Sequence, residues 1–158
     1  MNYELREMLP EDGAQVLQIF EEGIAGGNAT FDKEVPTWEY WDKNHFSACR
    51  FVAEDDNNNV VAWAALKPVS NRECFSGVAE VSIYITNSAQ GKGLGKVLLQ
   101  KLIIESEKNG FWMLQSGIFP ENIASLRVHE SLGFRTVGHR EKIGQMNGVW
   151  RDIILMER

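Results

Sequence analysis

Between residues 90 and 95 the chain reads Gln90-Gly91-Lys92-Gly93-Leu94-Gly95, three glycines within five positions. Glycines let an anion approach the backbone without interference from a Cβ, and successive N–H groups in such a turn form a nest. A helix starting at this point adds unpaired N–H groups and the positive end of its dipole, so the chemistry indicated is the holding of a phosphate. A glycine-rich turn with no ligand is the alternative. Two well-known phosphate loops do not fit. The Walker pattern Gly-x-x-x-x-Gly-Lys-Ser/Thr fails because the residue five before Gly95 is Gln90 and the residue after Lys96 is Val97. The dinucleotide pattern Gly-x-Gly-x-x-Gly fails because its third glycine would fall on Lys96 or Leu98. What remains is Gln-x-x-Gly-x-Gly.

Upstream, Glu80 is a carboxylate in the otherwise apolar or small run Val78-Ala-Glu-Val-Ser-Ile-Tyr-Ile85. Burial there would raise its pKa toward the range useful for accepting a proton; a solvated Glu on a one-sided strand is the alternative. Arg72 is a candidate clamp for a carboxylate, since a guanidinium pairs two oxygens at once, against the reading of a solvated loop arginine. Ser70 and Asn71 share its loop and could add hydrogen bonds. His45 and His139 have no paired ligands at metal spacing, so no metal is assigned.

Several elements must position these groups. Val78, Val81, Ile83, Tyr84 and Ile85 predict a strand over 78–86, mostly covered on both faces and bounded by Gly77 and Asn87-Ser88. Leu94, Leu98 and Leu102, recurring every four residues beside Val97, Leu99 and Ile103, predict a helix that stops at Asn109-Gly110. Before them, an edge strand over 2–8 leads to a helix opened by Pro10, with Val16, Leu17, Ile19, Phe20 and Ile24 inward, ended by Gly26-Gly27. Thr37 caps a second helix in which Trp38, Tyr40, Trp41 and Phe46 form an apolar band, and strands 51–54 and 60–66 form a hairpin. After them come a strand over 113–119, parallel to strand 78–86, and a short helix closed by Gly133. Strands 134–141 and 149–156 then pair around Asn147-Gly148.

The totals agree with one domain spanning residues 1–158, with no internal repeat or low-complexity tract. A net charge of −6 without a basic stripe argues against a nucleic-acid partner or an anionic membrane surface, while Lys92 and Lys96 supply local positive charge beside the glycine loop. No apolar run approaches the roughly 18 residues of a membrane span. The N-terminus lacks a basic start followed by an apolar stretch, so no leader is expected and a cytoplasmic location follows. Cys49 and Cys74 are read as free thiols.

The strand, the Gln90–Gly95 loop and the helix after it resemble the acetyl-CoA pyrophosphate loop of the GNAT N-acetyltransferases, whose pattern is Arg/Gln-x-x-Gly-x-Gly/Ala in that setting. Asn122-x-x-Ser125-x-x-x-His129-x-x-Leu-Gly-Phe134 is a second match, with His129 where many members carry Tyr. Thr30-Phe31, the Glu80 strand, His129 and Gly144-x-x-x-Gly148-x-Trp150-x-Asp152 resemble the phosphinothricin and methionine sulfoximine acetyltransferases within that family. The fold class expected is therefore α/β, the GNAT acyl-CoA N-acyltransferase fold, a mixed central sheet flanked by helices.

The resemblance implies acetyl-CoA as cosubstrate. It implies that the backbone of Gln90, Gly91, Lys92, Gly93, Leu94 and Gly95 grips the pyrophosphate. The main chain of Ile83, Tyr84 and Ile85 should pair with the pantetheine arm, which Asn122 or Ser125 also touches, and a backbone N–H of that strand should face the oxyanion. Thr30 and Phe31 should wall the amine side. Glu80 is the expected base and His129 the other proton-handling candidate, since its ordinary pKa suits transfer in either direction; a packed helix histidine is the alternative. Trp150 and Asp152 should support the site, on a tail strand that could pack across a homodimer. The activity expected is acetylation of the amine of a small amino acid analogue. Acetylation of a protein N-terminus or a polyamine is the alternative within enzymes, and a non-catalytic CoA-binding module the alternative outside them.

Overall fold

The computed structural model describes residues 2–158. Along the chain it forms β1 (Glu4–Glu7), α1 (Gly13–Gly26), α2 (Trp38–Lys43), β2 (Phe51–Glu54), β3 (Val60–Pro68), β4 (Val78–Ile85), α3 (Leu94–Lys108), β5 (Met113–Ile118), α4 (Ile123–Ser131), β6 (Arg135–Met146) and β7 (Val149–Glu157). One seven-stranded sheet runs β1-β2-β3-β4-β5-β7-β6. Among the described residues only β4 and β5 pair in parallel, as the α3 crossover between them requires.

Period-2 alternation in β3 and β4 divides the core between the sheet's two faces. Ala62, Ala64 and Leu66 of β3 and Val81 of β4 pack with Leu98, Leu99 and Leu102 of α3. Trp63 and Ala65 pack on the other face with Val16, Ile19 and Phe20 of α1 and Trp41 of α2. Leu98, Leu99 and Leu102 are fully buried, and each stabilises the fold by roughly 1.5–3 kcal/mol relative to exposure. Val97, expected on that buried side, is 49% exposed, because the sheet covers a narrower stripe of α3 than the Leu and Val pattern suggests.

The parallel ladder is short. Residues Val78, Ala79 and Glu80 pair with Met113, Leu114 and Gln115, after which the opposite edge of β5 pairs with β7 over Gln115–Ile118. From Ile83 to Ile85, β4 has a strand neighbour only on its β3 side. The closed end of this fork is fixed where Trp112 donates its N–H to the Gly77 carbonyl at 2.8 Å and lays its ring over Gly77, where a Cβ would lie 2.0 Å from the ring.

Thr37 caps α2 as expected, accepting the Tyr40 N–H at 3.2 Å. The helix is only six residues long, so Phe46 lies beyond it, and Tyr40 is 63% exposed. Pro10 opens a 3-10 turn before α1 rather than the α-helix itself. β6 runs five residues further than its sequence pattern indicates and bulges between Arg140 and Gly144, where Lys142 has φ 50. Asp152 holds this bulge by accepting the Lys142 N–H at 2.8 Å and a His139 Nε2 contact at 2.8 Å.

Arg6 of β1 joins two elements, meeting Asp12 through two 2.8 Å hydrogen bonds and Glu54 of β2 at 2.6 Å. Hydrogen bonding from Arg6 holds the Asp12 carboxyl below its ordinary value of 3.8. A depressed folded-state pKa contributes stability that is complete above about pH 4 and lost as pH falls through the folded value. Urea titrations at a series of pH values should therefore show an acid-limb loss of stability that is reduced in Asp12→Asn. Leu102→Ala should cost about 2–5 kcal/mol by the same measurement, through lost transfer energy and the cavity left behind.

Candidate active site

The open fork exposes β4 main chain. The Thr86 N–H donates to the Val61 carbonyl of β3 at 2.8 Å. Strand alternation therefore turns the N–H and C=O of Tyr84 toward Trp63, its ladder partner, and those of Ile83 and Ile85 into the fork. Of the three main-chain positions expected to meet a ligand arm, Ile83 and Ile85 face the gap. Tyr84 does not; its ring lies on the opposite face, stacked on Trp63 at 4.9 Å.

The glycine loop closes the wide end of the fork. Gly91 and Gly93 have φ of 75 and 83, left-handed values that side chains rarely adopt, and no atom lies within 4 Å of a Cβ built on either. The first intrahelical bond of α3 runs from the Val97 N–H to the Gly93 carbonyl at 3.3 Å, which leaves the N–H groups of Leu94, Gly95 and Lys96 at the helix mouth. The Gln90 side chain donates to the Ile85 carbonyl at 3.2 Å, tying the loop to the end of β4. Glu22 of α1 braces the same corner by accepting the Thr86 hydroxyl at 2.9 Å and the Asn87 N–H at 2.8 Å. Lys92 is exposed, its ammonium 6.0 Å from the Tyr3 ring.

On α4, Asn122 caps the helix by accepting the Ser125 N–H at 3.3 Å, and its amide donates to the Asn28 carbonyl at 3.3 Å. Both ends of this side chain therefore already have protein partners. His129 Nδ1 lies 2.8 Å from the Ser125 carbonyl, so the proton sits on Nδ1, while Nε2 is buried without a partner. Burial lowers the His129 pKa from 6.5, which makes the ring a neutral acceptor at Nε2 around neutral pH.

The face of β4 that carries Glu80, Ser82 and Tyr84 borders a cleft of about 280 Å³. Phe20, Trp41, Trp63 and Tyr84 wall it, Lys67 and Ser82 line it from the sheet, and Asp32 and Glu34 come from the α1–α2 connection. Glu80 is half-buried rather than enclosed, and it, Thr30 and Phe31 are not among the residues that line the cleft. His45, also in the lining, donates from Nδ1 to the Trp41 carbonyl at 2.6 Å and has its pKa lowered to about 4, chiefly by burial.

The Thr30 hydroxyl donates to Asp32 Oδ2 at 3.1 Å and accepts the Asp32 N–H at 3.0 Å, while burial pushes the Tyr84 hydroxyl well above its ordinary pKa. Phe31 packs on Phe119 at 4.9 Å and against Gly144, where a Cβ would lie 2.9 Å from the Phe31 ring. Arg151 fixes this stretch: it donates to the Gly27 carbonyl at 2.9 Å and to Asn28 Oδ1 at 2.8 Å, and lies 4.1 Å from the Phe119 ring centroid. Ser70 and Asn71 sit on the β3–β4 connection, where Ser70 Oγ accepts the Arg72 N–H at 3.2 Å. Arg72 is exposed, its guanidinium 5.1 Å from the Phe75 ring and outside the cleft lining.

The arrangement can hold an extended, anion-bearing ligand along β4 from one side and a small polar molecule in the cleft beside Ser82 and Tyr84 from the other. Sequence reasoning missed Lys67, Ser82, Trp41, Trp63 and His45 as cleft residues, and Glu22 and Arg151 as braces. A Lys-Pro at a strand end and an Arg in a terminal strand carry no local signal of such roles, because register and long-range contacts create them. Among the described residues, no group of three or more His, Cys, Asp or Glu side chains is arranged to hold a metal, and no helix is long and apolar enough to cross a membrane.

Comparison with known proteins gives the family and the fold. The model of the Acetyltransferase (GNAT) family matches residues 15–134. A Bacillus subtilis protein named "Putative phosphinothricin acetyltransferase YwnH" is 35% identical over 147 residues, 90% of each chain. The L-methionine sulfoximine/L-methionine sulfone acetyltransferase of Salmonella typhimurium is 28% identical over 150 residues, 92% of this chain and 88% of that one. The crystal structure of a phosphinothricin acetyltransferase from Sinorhizobium meliloti in complex with AcCoA superposes with a TM-score of 0.91 at 28% identity, over 100% of this chain and 88% of the other.

The two buried histidines generate a direct test. At about pH 6.5, 15N-edited NMR should find His45 and His129 in the neutral Nδ1–H form. For His45 the folded pKa is depressed, so its contribution to stability is complete above 6.5 and lost as pH falls toward about 4. His45→Gln should flatten the stability profile across that window.

Proposed function

The chain belongs to the acetyltransferase (GNAT) family, and from that premise we propose that residues 1–158 work as one catalytic unit acetylating the α-amine of a small amino acid, of the methionine sulfoximine or phosphinothricin kind. Acetyl-CoA is the acetyl donor. The observation that carries the reading is the position of β4 between two spaces: its edge at Ile83 and Ile85 has no strand partner and leads to the glycine loop, whose Gln90 takes the Ile85 carbonyl, and the face that carries Glu80, Ser82 and Tyr84 borders the cleft.

In this reading the N–H groups of the Gln90–Gly95 loop and the first turn of α3 hold the pyrophosphate, and the main chain of Ile83 and Ile85 pairs with the amide arm of pantetheine. The amine enters from the cleft side, between the wall made by Thr30 and Phe31 and the carboxylate of Glu80. Glu80 takes the ammonium proton, directly or through one water. The freed lone pair attacks the thioester carbonyl, forming the N–C bond. A β4 N–H in the fork stabilises the oxyanion, the attacking nitrogen gives up its second proton as the C–S bond breaks, and the coenzyme leaves as a thiolate that takes up that proton. His129, neutral with its lone pair on Nε2, fits an acceptor beside the coenzyme better than a donor to the thiolate.

The acceptors named for the relatives are small amino acids with a polar, tetrahedral end group, and a cleft of about 280 Å³ has room for a molecule of that size. Exposed Val137, Ile143, Val149 and Trp150 on the β6–β7 arm support pairing of two copies through that arm. The free thiols of Cys49 and Cys74 support a reducing, cytoplasmic setting.

Thiol release from acetyl-CoA should be fast with methionine sulfoximine, methionine sulfone or phosphinothricin and slow with spermidine or a short peptide. Turnover confined to the latter two would overturn the substrate. No turnover at all with tight coenzyme binding would favour a non-catalytic module. Glu80→Gln should lower kcat by roughly 10²–10⁴ while leaving coenzyme affinity unchanged, and full activity near neutral pH would remove Glu80 as the base. Gly93→Val forces a side chain into a left-handed backbone at the loop, and isothermal titration should show coenzyme A binding weakened by about tenfold or more.

A further inference from the structure

We propose that Lys67 is the carboxylate-binding residue of the acceptor cleft, and that with Glu80 it reads the two charges of a zwitterionic α-amino acid; this rests on the amino-acid reading above. Lys67 and Glu80 are direct partners in the β3–β4 ladder. Their Cα atoms in such a hydrogen-bonded pair lie roughly 5.5 Å apart and their side chains share one face. That face is the cleft face, because Lys67 itself and Ser82, two residues after Glu80, both line the cleft, while Glu80 shares their face beside the lining.

Opposite charges placed in this way commonly pair with each other. Here the structure forms salt bridges elsewhere, and neither Lys67 nor Glu80 belongs to any of them among the described residues. Each charge is left to meet a ligand. An α-amino acid carries its ammonium and carboxylate on one carbon, so it can bring the ammonium to Glu80 and the carboxylate to Lys67 at the same time.

The rest of the cleft leaves an anion no other positive partner. Its other charged side chains, Asp32 and Glu34, are carboxylates, and His45 is kept neutral, first by burial and further by the nearby Lys67 charge. Arg72, the carboxylate clamp expected from sequence, rests against Phe75 outside the lining.

The test compares methionine sulfone with its carboxamide, which keeps the amine and side chain and loses the carboxylate charge. The wild type should prefer the acid in kcat/KM by roughly tenfold or more, the scale of one charge-assisted hydrogen bond. Lys67→Met should collapse that preference mainly through KM for the acid, and Lys67→Arg should restore part of it; the conservative variant separates charge recognition from packing. A wild type indifferent to the carboxylate, or a preference that survives Lys67→Met and vanishes in Arg72→Met, overturns the inference and leaves the proposed activity intact. A wild type that acetylates no α-amino acid overturns both.

Discussion

Backbone N–H and C=O groups need partners, and from Ile83 to Ile85 β4 has a strand neighbour on one side only. Leaving such a group buried and unpaired costs about 1–3 kcal/mol, so this edge must meet water or a ligand with amides of its own. Everything around the fork maintains that condition. Trp112 over Gly77 fixes the closed end. β7, inserted between β5 and β6, engages the far edge of β5 and carries that strand away from β4. α3 seals the sheet below with Leu98, Leu99 and Leu102, and its first turn faces the wide end of the fork. A strand neighbour at Ile83 and Ile85 would satisfy the backbone and abolish the site.

The acceptor side depends on a different kind of support. Its walls are aromatic, and the edge-to-face and stacked contacts among Phe20, Trp41, Trp63 and Tyr84 exclude water and make each remaining charge count for more. The α1–α2 connection has no regular structure of its own and is held at its α1 end: Glu22 of α1 binds the Thr86–Asn87 corner, and Arg151 from the tail hairpin grips Gly27 and Asn28. Donor and acceptor halves are thus tied to the same helix, which keeps their separation across β4 constant.

The donor half was legible in the sequence because its signals are local. Glycine spacing, the leucines of α3 and the β-branched run of β4 each announce themselves within a few residues, and the element order follows from them. The fork itself was not legible. It arises because β5 pairs with β7, about forty residues downstream in register, and no pattern near either strand encodes that. Register also hid Lys67, whose partnership with Glu80 exists only once β3 and β4 align. Tyr84 was grouped with Ile83 and Ile85 by adjacency, yet strand alternation separates it from them. Arg72 looked like the clamp on charge type alone, and its placement against Phe75 depends on a loop whose course is set by tertiary contacts.

The central claim is that the free edge of β4 receives the coenzyme, and amide hydrogen exchange measured residue by residue addresses it most directly. With saturating coenzyme A, the Ile83 and Ile85 N–H groups should slow in exchange by about tenfold or more as they gain partners, while Tyr84, already bonded to β3, should change least. Exchange at Ile83 and Ile85 that stays the same with the coenzyme bound would contradict the account, because the ligand would then lie somewhere other than the fork.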